Sequence, residues 1–382
     1  MNVLAGLAEA GSVDLFCSVA ERPDLDEGPA EPTAGVSRVY VHRRGAFGLS
    51  PTGLRRWLLS GLPRAYAWID WNDADGALAR FATERYDVVW FSHCHPWLAL
   101  GSARAEAAIV DLDNLEDAKI ETWRRVRRLQ AAEAPARPFR VRARAAVADL
   151  LDRIDIARWR GAQARAAAAA HAVVVCSEVD RRRIGAGTAV VIPNGYEPRE
   201  PAATRKPGAI LAMVGLMIYP PNYDGARYFA RQVLPLVRAE IPDARFRIVG
   251  YHDGQLSDLE GLPGIDVVGE VDDVAPTLAA AGAVVVPLRA GSGTRVKVLE
   301  AFAERVPVVS TAIGCEGLEV QGGEHLLIAD TPLELAEACI RLLREPALAE
   351  ALVSAGYELW ASRYRARDVS ELTAELTRRA AA

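Results

Sequence analysis

The chain of 382 residues has only five cysteines, Cys17, Cys94, Cys176, Cys315 and Cys339, far apart and mostly within apolar runs. An odd and scattered set implies no disulfide framework, so they read as small core residues of a reducing compartment. No run approaches the ~20 apolar residues a membrane span needs, and no basic stretch followed by an apolar one opens the chain. These absences place the protein in the cytoplasm. An excess of positive charge is missing too: 45 Lys and Arg against 50 Asp and Glu leave a net charge of -5, which argues against a general nucleic-acid binder. No helix-turn-helix, zinc-finger or RNA-platform signature opposes that reading. No Walker loop occurs, and the glycine pair Gly291 and Gly293 is followed by Val296 where a dinucleotide fingerprint needs its third glycine.

Hydrophobic residues make up 51% and charged residues 25%, near the averages for globular proteins, so a large core is available. The length fits two α/β lobes. A helical pattern over Asn2 to Ala10 closes at Gly11 and leads to a strand at Val13 to Val19. Strands follow at Val36 to His42, Asp87 to Ser92 and Ala107 to Leu112, with a helix at Ala74 to Glu84; the βαβ rhythm predicts a parallel sheet. Thr122 to Ala170 is Ala/Arg-rich and helical, broken near Pro135 and Pro138, and strands Ala172 to Cys176 and Ala189 to Ile192 close the first lobe. Glu197 to Gly208 reads as a linker. Beyond it, strands fall at Ile210 to Val214, Arg245 to Val249, Ile265 to Val268, Ala283 to Pro287, Val306 to Ser310 and His325 to Ile328. Helices at Tyr223 to Glu240, Val274 to Ala281, Thr294 to Glu304 and Pro332 to Leu343 alternate with them. That is a doubly wound pattern, whose ligands sit outside the carboxyl ends of the strands, where Gly215, Gly250, Gly291 and Gly314 fall.

The densest chemistry lies between Arg289 and Leu318. Gly291-Ser-Gly293-Thr294-Arg295 opens a helix that carries Lys297 and Glu300 three residues apart, hence on one face near its start. A helix N-terminus offers free N–H groups and positive dipole to a pyrophosphate, Lys297 and Arg295 add charge, and Glu300 can accept hydrogen bonds from ribose hydroxyls. Taken alone, the Lys297 and Glu300 pair is equally an exposed ion pair worth roughly a few tenths of a kcal/mol. The two glycines are equally turn residues.

This segment resembles the donor-binding signature of GT-B glycosyltransferases of family 4, in the subgroup whose glycine loop reads Gly-Ser-Gly-Thr-Arg. A second glycine turn, Gly314 to Gly317, follows at the spacing of the next strand and loop. Val174-Val-Cys176-Ser177 and Val191-Ile-Pro193-Asn194-Gly195 resemble the end of the family's first domain. Leu211-Ala-Met-Val214-Gly215, Tyr219-Pro-Pro-Asn222-Tyr-Asp224 and Arg247-Ile-Val-Gly250 resemble the opening of its second. The likeness runs from about Val173 to Asp330 and is thin before it. It implies an α/β chain of two Rossmann-like doubly wound lobes facing a cleft. The acceptor side is expected at 1–200, the donor side at 201–360, and a segment at 361–382 that packs back on the first lobe. The family's first domain begins one strand before the first helix here, so either an internal start or loss of that strand is expected.

The implied reaction moves a sugar from a nucleoside-diphosphate sugar to an acceptor, with retention of anomeric configuration, no essential metal and no cofactor beyond the co-substrate. A sugar-nucleotide epimerase and a catalytically silent GT-B partner are the rival readings. By resemblance Lys297 and Arg295 hold the diphosphate and Glu300 the ribose, with Gly215, Tyr251, Gly291, Gly293 and Thr294 beside them. The family's further glutamate, eight positions before Glu300, is Ser292 here, and the stretch after Gly215 offers no cation. Arg295 and Lys297 therefore carry the phosphate charge, and Asn222 is expected to cap the helix that follows it.

In the first lobe, His93-Cys94-His95 directly follows a buried strand and resembles the family loop that reaches toward sugar and acceptor. Structural histidines are the competing reading, His93 is preferred for contact, and the spacing does not suit structural zinc. Asp113 stands where many members have a histidine on the transferred sugar, and it or Asn114 equally suits a helix cap. The catalytic set is thus Lys297, Arg295, Glu300 and His93. An arginine cluster, Arg124, Arg125, Arg127 and Arg128, then Arg137, Arg140, Arg142 and Arg144, reads as a solvated helix face or, with Trp123 and Phe139, as a contact for anionic lipid heads at the inner membrane face.

Overall fold

A computed structural model describes residues 2–20, 28–31, 35–48, 50–71, 73–101, 105–133, 139–198 and 207–382. The expected helix break at Pro135 and Pro138, Arg137 and most of the linker lie outside them. The chain divides into two compact units, one of Met1–Glu121, Arg137–Pro193 and Arg367–Ala382, the other of Thr122–Ala136 and Asn194–Ala366.

The first unit runs α1 (Asn2–Ala10), β1 (Asp14–Ala20), β2 (Gly28–Ala30), β3 (Arg38–Arg44), α2 (Pro51–Ser60), α3 (Arg64–Ala67), α4 (Ala74–Phe81), β4 (Tyr86–Ser92), α5 (Cys94–Leu100) and β5 (Ala105–Asp111). Helices α6 (Glu116–Glu133) and α7 (Phe139–Ala169) precede β6 (Ala172–Val175), α8 (Glu178–Ile184) and β7 (Ala189–Val191). Local chemistry sets several of these ends. Ser50 Oγ accepts from the Gly53 amide at 3.1 Å, Pro51 takes the first helical position of α2, and Gly61 ends it at φ 67. Ser177 Oγ caps α8 in the same way from the Asp180 amide.

The seven strands do not form one parallel sheet, as the βαβ rhythm predicted. They form a sheet ordered β1-β3-β2, with β2 antiparallel to β3, and a parallel sheet ordered β4-β5-β6-β7. Among the described residues no strand pairs with the free side of β1 or of β4, so the ladder is interrupted there. Side chains bridge the interruption: Tyr86 Oη donates to Asp14 Oδ2 at 2.8 Å, and Phe16 packs against the apolar cluster around Phe91 and Val173. The C-terminal helix α15 (Ala366–Ala381) buries Val369 and Ala380 against Ile109, Ala172 and Val174 of this unit.

The second unit carries β8 (Ile210–Val214), α9 (Pro220–Tyr228), a π turn at Phe229–Val233, α10 (Leu234–Glu240), β9 (Arg245–Val249), β10 (Ile265–Gly269), α11 (Ala275–Ala280) and β11 (Ala283–Val286). After these come α12 (Val296–Ala303), β12 (Val308–Ser310), a 3-10 turn at Ile313–Cys315, β13 (Leu327–Ile328), α13 (Pro332–Arg344) and α14 (Pro346–Arg363). The central strands β8 and β11 are continuous apolar runs, as expected where both faces are covered, and every residue of β11 is buried, whereas β9 and β10 toward the edge carry Arg245, Arg247 and Asp266. All pairings are parallel, in the order β10-β9-β8-β11-β12-β13. That order reverses between β8 and β11, and the crevice beyond their carboxyl ends is where such a sheet accepts ligands. Two predicted features occupy it: Gly215, directly after β8, and the glycine loop between β11 and α12.

Candidate functional site

Helix α12 starts at Val296, with Arg295 as its N-cap, because Gly293 takes φ 71 and turns the loop sharply before it. Lys297 and Glu300 lie on the first turns and are half-buried. Lys297 Nζ donates to Asn222 Oδ1 at 2.8 Å, and Asn222 Nδ2 donates to the Leu216 carbonyl at 2.9 Å. Asn222 is therefore not the cap of the helix that follows. Tyr219 is the N-cap residue of α9, and Asn222 sits in the first turn of that helix, buried and directed at the lysine. Gly215 adopts φ 150, and a Cβ there would stand 2.8 Å from Lys297 Nζ and 3.0 Å from Asn222 Nδ2. The end of β8, the first turn of α9 and the first turn of α12 thus converge on one ammonium.

Burial pulls the Lys297 ammonium down to about 8, opposed by the nearby Glu300 carboxylate and reinforced by Arg295. Glu300 moves the other way, its carboxyl raised by burial and partly restored by Lys297. Each holds the other's charge in a poorly hydrated place. Arg295 behaves differently from expectation. Only 5% of it is exposed, and its guanidinium folds back on its own loop, donating to the Gly293 carbonyl and lying 3.8 Å from the Glu316 carboxylate. It supports the loop that Gly291 and Thr294 help to form, and the ammonium facing Gly215 is that of Lys297. Tyr251 follows β9 and is 45% exposed, tied to the Gly215 loop by the Met217 amide, which donates to the Tyr251 carbonyl at 2.8 Å.

In the first unit, His93 follows β4 with φ 70, and its amide donates to the Asp111 carbonyl at 2.8 Å. Its side chain is exposed. His95, two residues on, points into the core: its ring meets Trp159 edge-on at 4.6 Å, with Nδ1 4.0 Å from Glu116. Burial first, then the charges of His93 and Lys119, bring it to about 4, so it is neutral at physiological pH. The structure thus separates two histidines that sequence had grouped, leaving His93 outward and His95 packed.

Asp113 is half-buried, and its carbonyl accepts from Cys176 Sγ at 2.9 Å. The first amide of α6, at Glu116, goes to Gln163 Oε1 at 2.9 Å and not to Asp113 or Asn114. Asp111, at the end of β5, is buried, and burial and then the Asp113 charge push its carboxyl up to about 7. Its signal in the sequence is the pair of carboxylates on alternate residues at a strand end. Among the described residues no group of three or more His, Cys, Asp or Glu side chains is arranged to hold a metal ion, and no helix is long and apolar enough to cross a membrane.

The second unit is a doubly wound, Rossmann-like domain whose switch point lies beside Gly215, Asn222 and Lys297. Residues 208–345 match the family model of the glycosyl transferases group 1. The chain is 27% identical over 136 residues to the uncharacterized 44.6 kDa protein of the cps region of Klebsiella pneumoniae, a match covering 33% of this chain and 35% of that one. Sucrose-phosphate synthase from Thermosynechococcus elongatus superposes with a TM-score of 0.65 at 19% identity, over 99% of this chain and 91% of that one. An E. coli structure described as trehalose-6-phosphate, bound with UDP-2-fluoro glucose, gives the same TM-score of 0.65 at 13% identity, over 99% and 95%. At these identities the likeness is one of fold, and it extends over both units.

Proposed function

We propose that this protein is a retaining, metal-independent glycosyltransferase that moves a sugar from a nucleoside-diphosphate sugar, with UDP as the leading nucleotide, to an acceptor seated mainly by the first unit. The observation that carries the reading is the enclosed Lys297 ammonium, held by Asn222 against Gly215 at the first turn of α12. A departing diphosphate develops negative charge, and a fixed cation with a helix N-terminus stabilises it without reorganising. Neutralisation by these groups is what a transfer without metal requires. Glu300, beside Lys297, suits the ribose hydroxyls. The bound UDP-2-fluoro glucose of the E. coli neighbour supports the choice of nucleotide.

Retention follows from the family resemblance: the acceptor attacks the face from which the leaving group departs, and the diphosphate takes the acceptor's proton. His93 is the first-unit side chain best exposed to contact sugar or acceptor, with Asp113 near the same sheet end. A panel of nucleotide sugars, assayed with and without candidate acceptors, tests the reading. Release of nucleotide that depends on acceptor is expected. Donor conversion with no acceptor present would instead indicate an epimerase, and donor binding with no turnover a silent partner.

A further inference from the structure

Helix α2 buries Gly53 and Trp57 and leaves Leu54, Leu58 and Leu59 exposed at 47, 58 and 75%. The opening of α7 is exposed all round from Arg140 to Val147. Ala143, Ala146, Val147 and Leu150 fall at i, i+3, i+4 and i+7, one continuous stripe, and all are exposed, Val147 and Leu150 at 58 and 59%. The side of α7 that faces the core begins only at Asp152, Asp155 and Trp159. The two helices adjoin: Trp57 Nε1 donates to Asp155 Oδ1 at 3.1 Å, and Arg158 Nη1 donates to the Trp57 carbonyl at 2.6 Å.

Charge on α2 and on the opening of α7 is almost all positive. Arg55 on α2 and Arg140, Arg142 and Arg144 on α7 are exposed beside the apolar stripes. The one acid among residues 51–60 and 139–150 is Asp149, which accepts from Arg153 at 3.1 Å. In a chain of net charge -5 this is a local inversion. The arginines expected to form such a patch on α6 fit it less well. Arg124, Arg127 and Arg128 are each engaged in interactions within the chain, and their part of α6 belongs to the second unit.

We propose that α2 and the first turns of α7 form a membrane-seating face, with the leucines and valine entering the acyl boundary of an anionic lipid surface and the four arginines on its phosphates. Exposed apolar stripes flanked by arginine are what an interfacial helix needs. A symmetric contact with a second copy would set these arginines against one another, which disfavours that occupant. The proposal is independent of the donor chemistry.

Flotation of the full chain with phosphatidylcholine vesicles, with and without phosphatidylglycerol, tests it. Binding is expected only with the anionic lipid and should weaken as salt is raised. The triple variant Arg140→Ala, Arg142→Ala, Arg144→Ala should lose roughly fivefold in partition per arginine, on the order of a hundredfold in total. Leu58→Ser with Leu59→Ser should also release the protein, whereas Arg125→Ala should not. All variants should melt and bind UDP like the parent, because none touches the core or the donor site. Equal partition with both vesicles, no partition, or triple and leucine variants that bind like the parent would overturn the proposal. So would a concentration-dependent dimer abolished by the leucine changes.

Discussion

Lys297 and Asn222 are 75 residues apart in sequence and joined by a 2.8 Å hydrogen bond at the switch point of the second sheet. Because Asn222 Nδ2 is committed to the Leu216 carbonyl, the amide cannot rotate freely, and the ammonium is aimed before any ligand arrives. Asn222→Ala should therefore weaken UDP binding roughly tenfold, the scale of a hydrogen bond to a charged group. Asn222→Asp should do worse, since a carboxylate would pair with the ammonium and compete with the diphosphate. Calorimetric titration with UDP measures both, and parental affinity in the two variants would refute the role.

A lysine that titrates at about 8, instead of its usual 10.5, makes donor binding depend on pH in an accessible range. On the proposed reading the protonated form is the one that binds the diphosphate, so affinity should be flat below about pH 8 and then fall by up to about tenfold per pH unit as the ammonium is lost. Binding above that point should take up a proton, visible as a dependence of the calorimetric heat on the buffer. Stability of the unliganded protein runs the opposite way. Between about pH 8 and pH 10.5 the unfolded chain keeps the Lys297 proton and the native one does not, so this group adds stability as pH rises through that window. Lys297→Met should remove both trends.

Removing the charged pair itself should separate chemistry from folding. Lys297→Ala and Glu300→Ala are each expected to abolish or severely reduce transfer while circular dichroism still shows the parent's fold. Gly215→Ala should act more like a site lesion than a core lesion, because its new methyl would press on Lys297 Nζ and Asn222 Nδ2 at a φ of 150. Unchanged rates in the charge variants would exclude this site.

In the first unit the buried Asp155 accepts from Trp57 Nε1 at 3.1 Å and the Arg64 amide at 3.0 Å, and it pairs with the Arg64 side chain. Asp155→Ala leaves Trp57 Nε1 and the Arg64 amide without their acceptor while the Arg64 guanidinium keeps its pairing with Asp152, and a loss of about 2 kcal/mol in unfolding free energy is expected from urea titration. Glu178→Ala, at an exposed ion pair with Arg181, should cost well under about 1 kcal/mol in the same measurement.

What could be read from sequence was what needs only local pattern. Strands β8 and β11 are apolar runs closed by glycine or turn residues, and the loop at Gly291 announces its helix through a motif that spans ten residues. Asn222 was misread because a polar residue just after Tyr219-Pro-Pro has the look of a cap, and its true partner lies on another helix. Arg295, a cation beside a glycine loop and so expected to face phosphate, lies with its guanidinium folded back onto the loop backbone through the tight turn at Gly293, a placement that local pattern does not announce. His93 and His95 could not be told apart by spacing alone; the positive φ at His93 sends two neighbouring imidazoles to different environments. Helices α2 and α5 went unseen, one for its exposed leucines and the other for its brevity.

The interruption between β1 and β4 makes the first unit two hydrogen-bonded ladders joined by helix packing and side chains such as Tyr86 and Asp14. Opening one ladder need not break a backbone bond of the other, so the β1-β3-β2 portion is free to act as its own cooperative segment. Amides of β1 and β3 should then exchange with deuterium well before those of β5 and β6, at a free energy below that of global unfolding. The continuous sheet of the second unit, by contrast, should protect β8, β9 and β11 together, giving the Gly215 and Gly291 loops a stiffer floor than the divided sheets of the first unit.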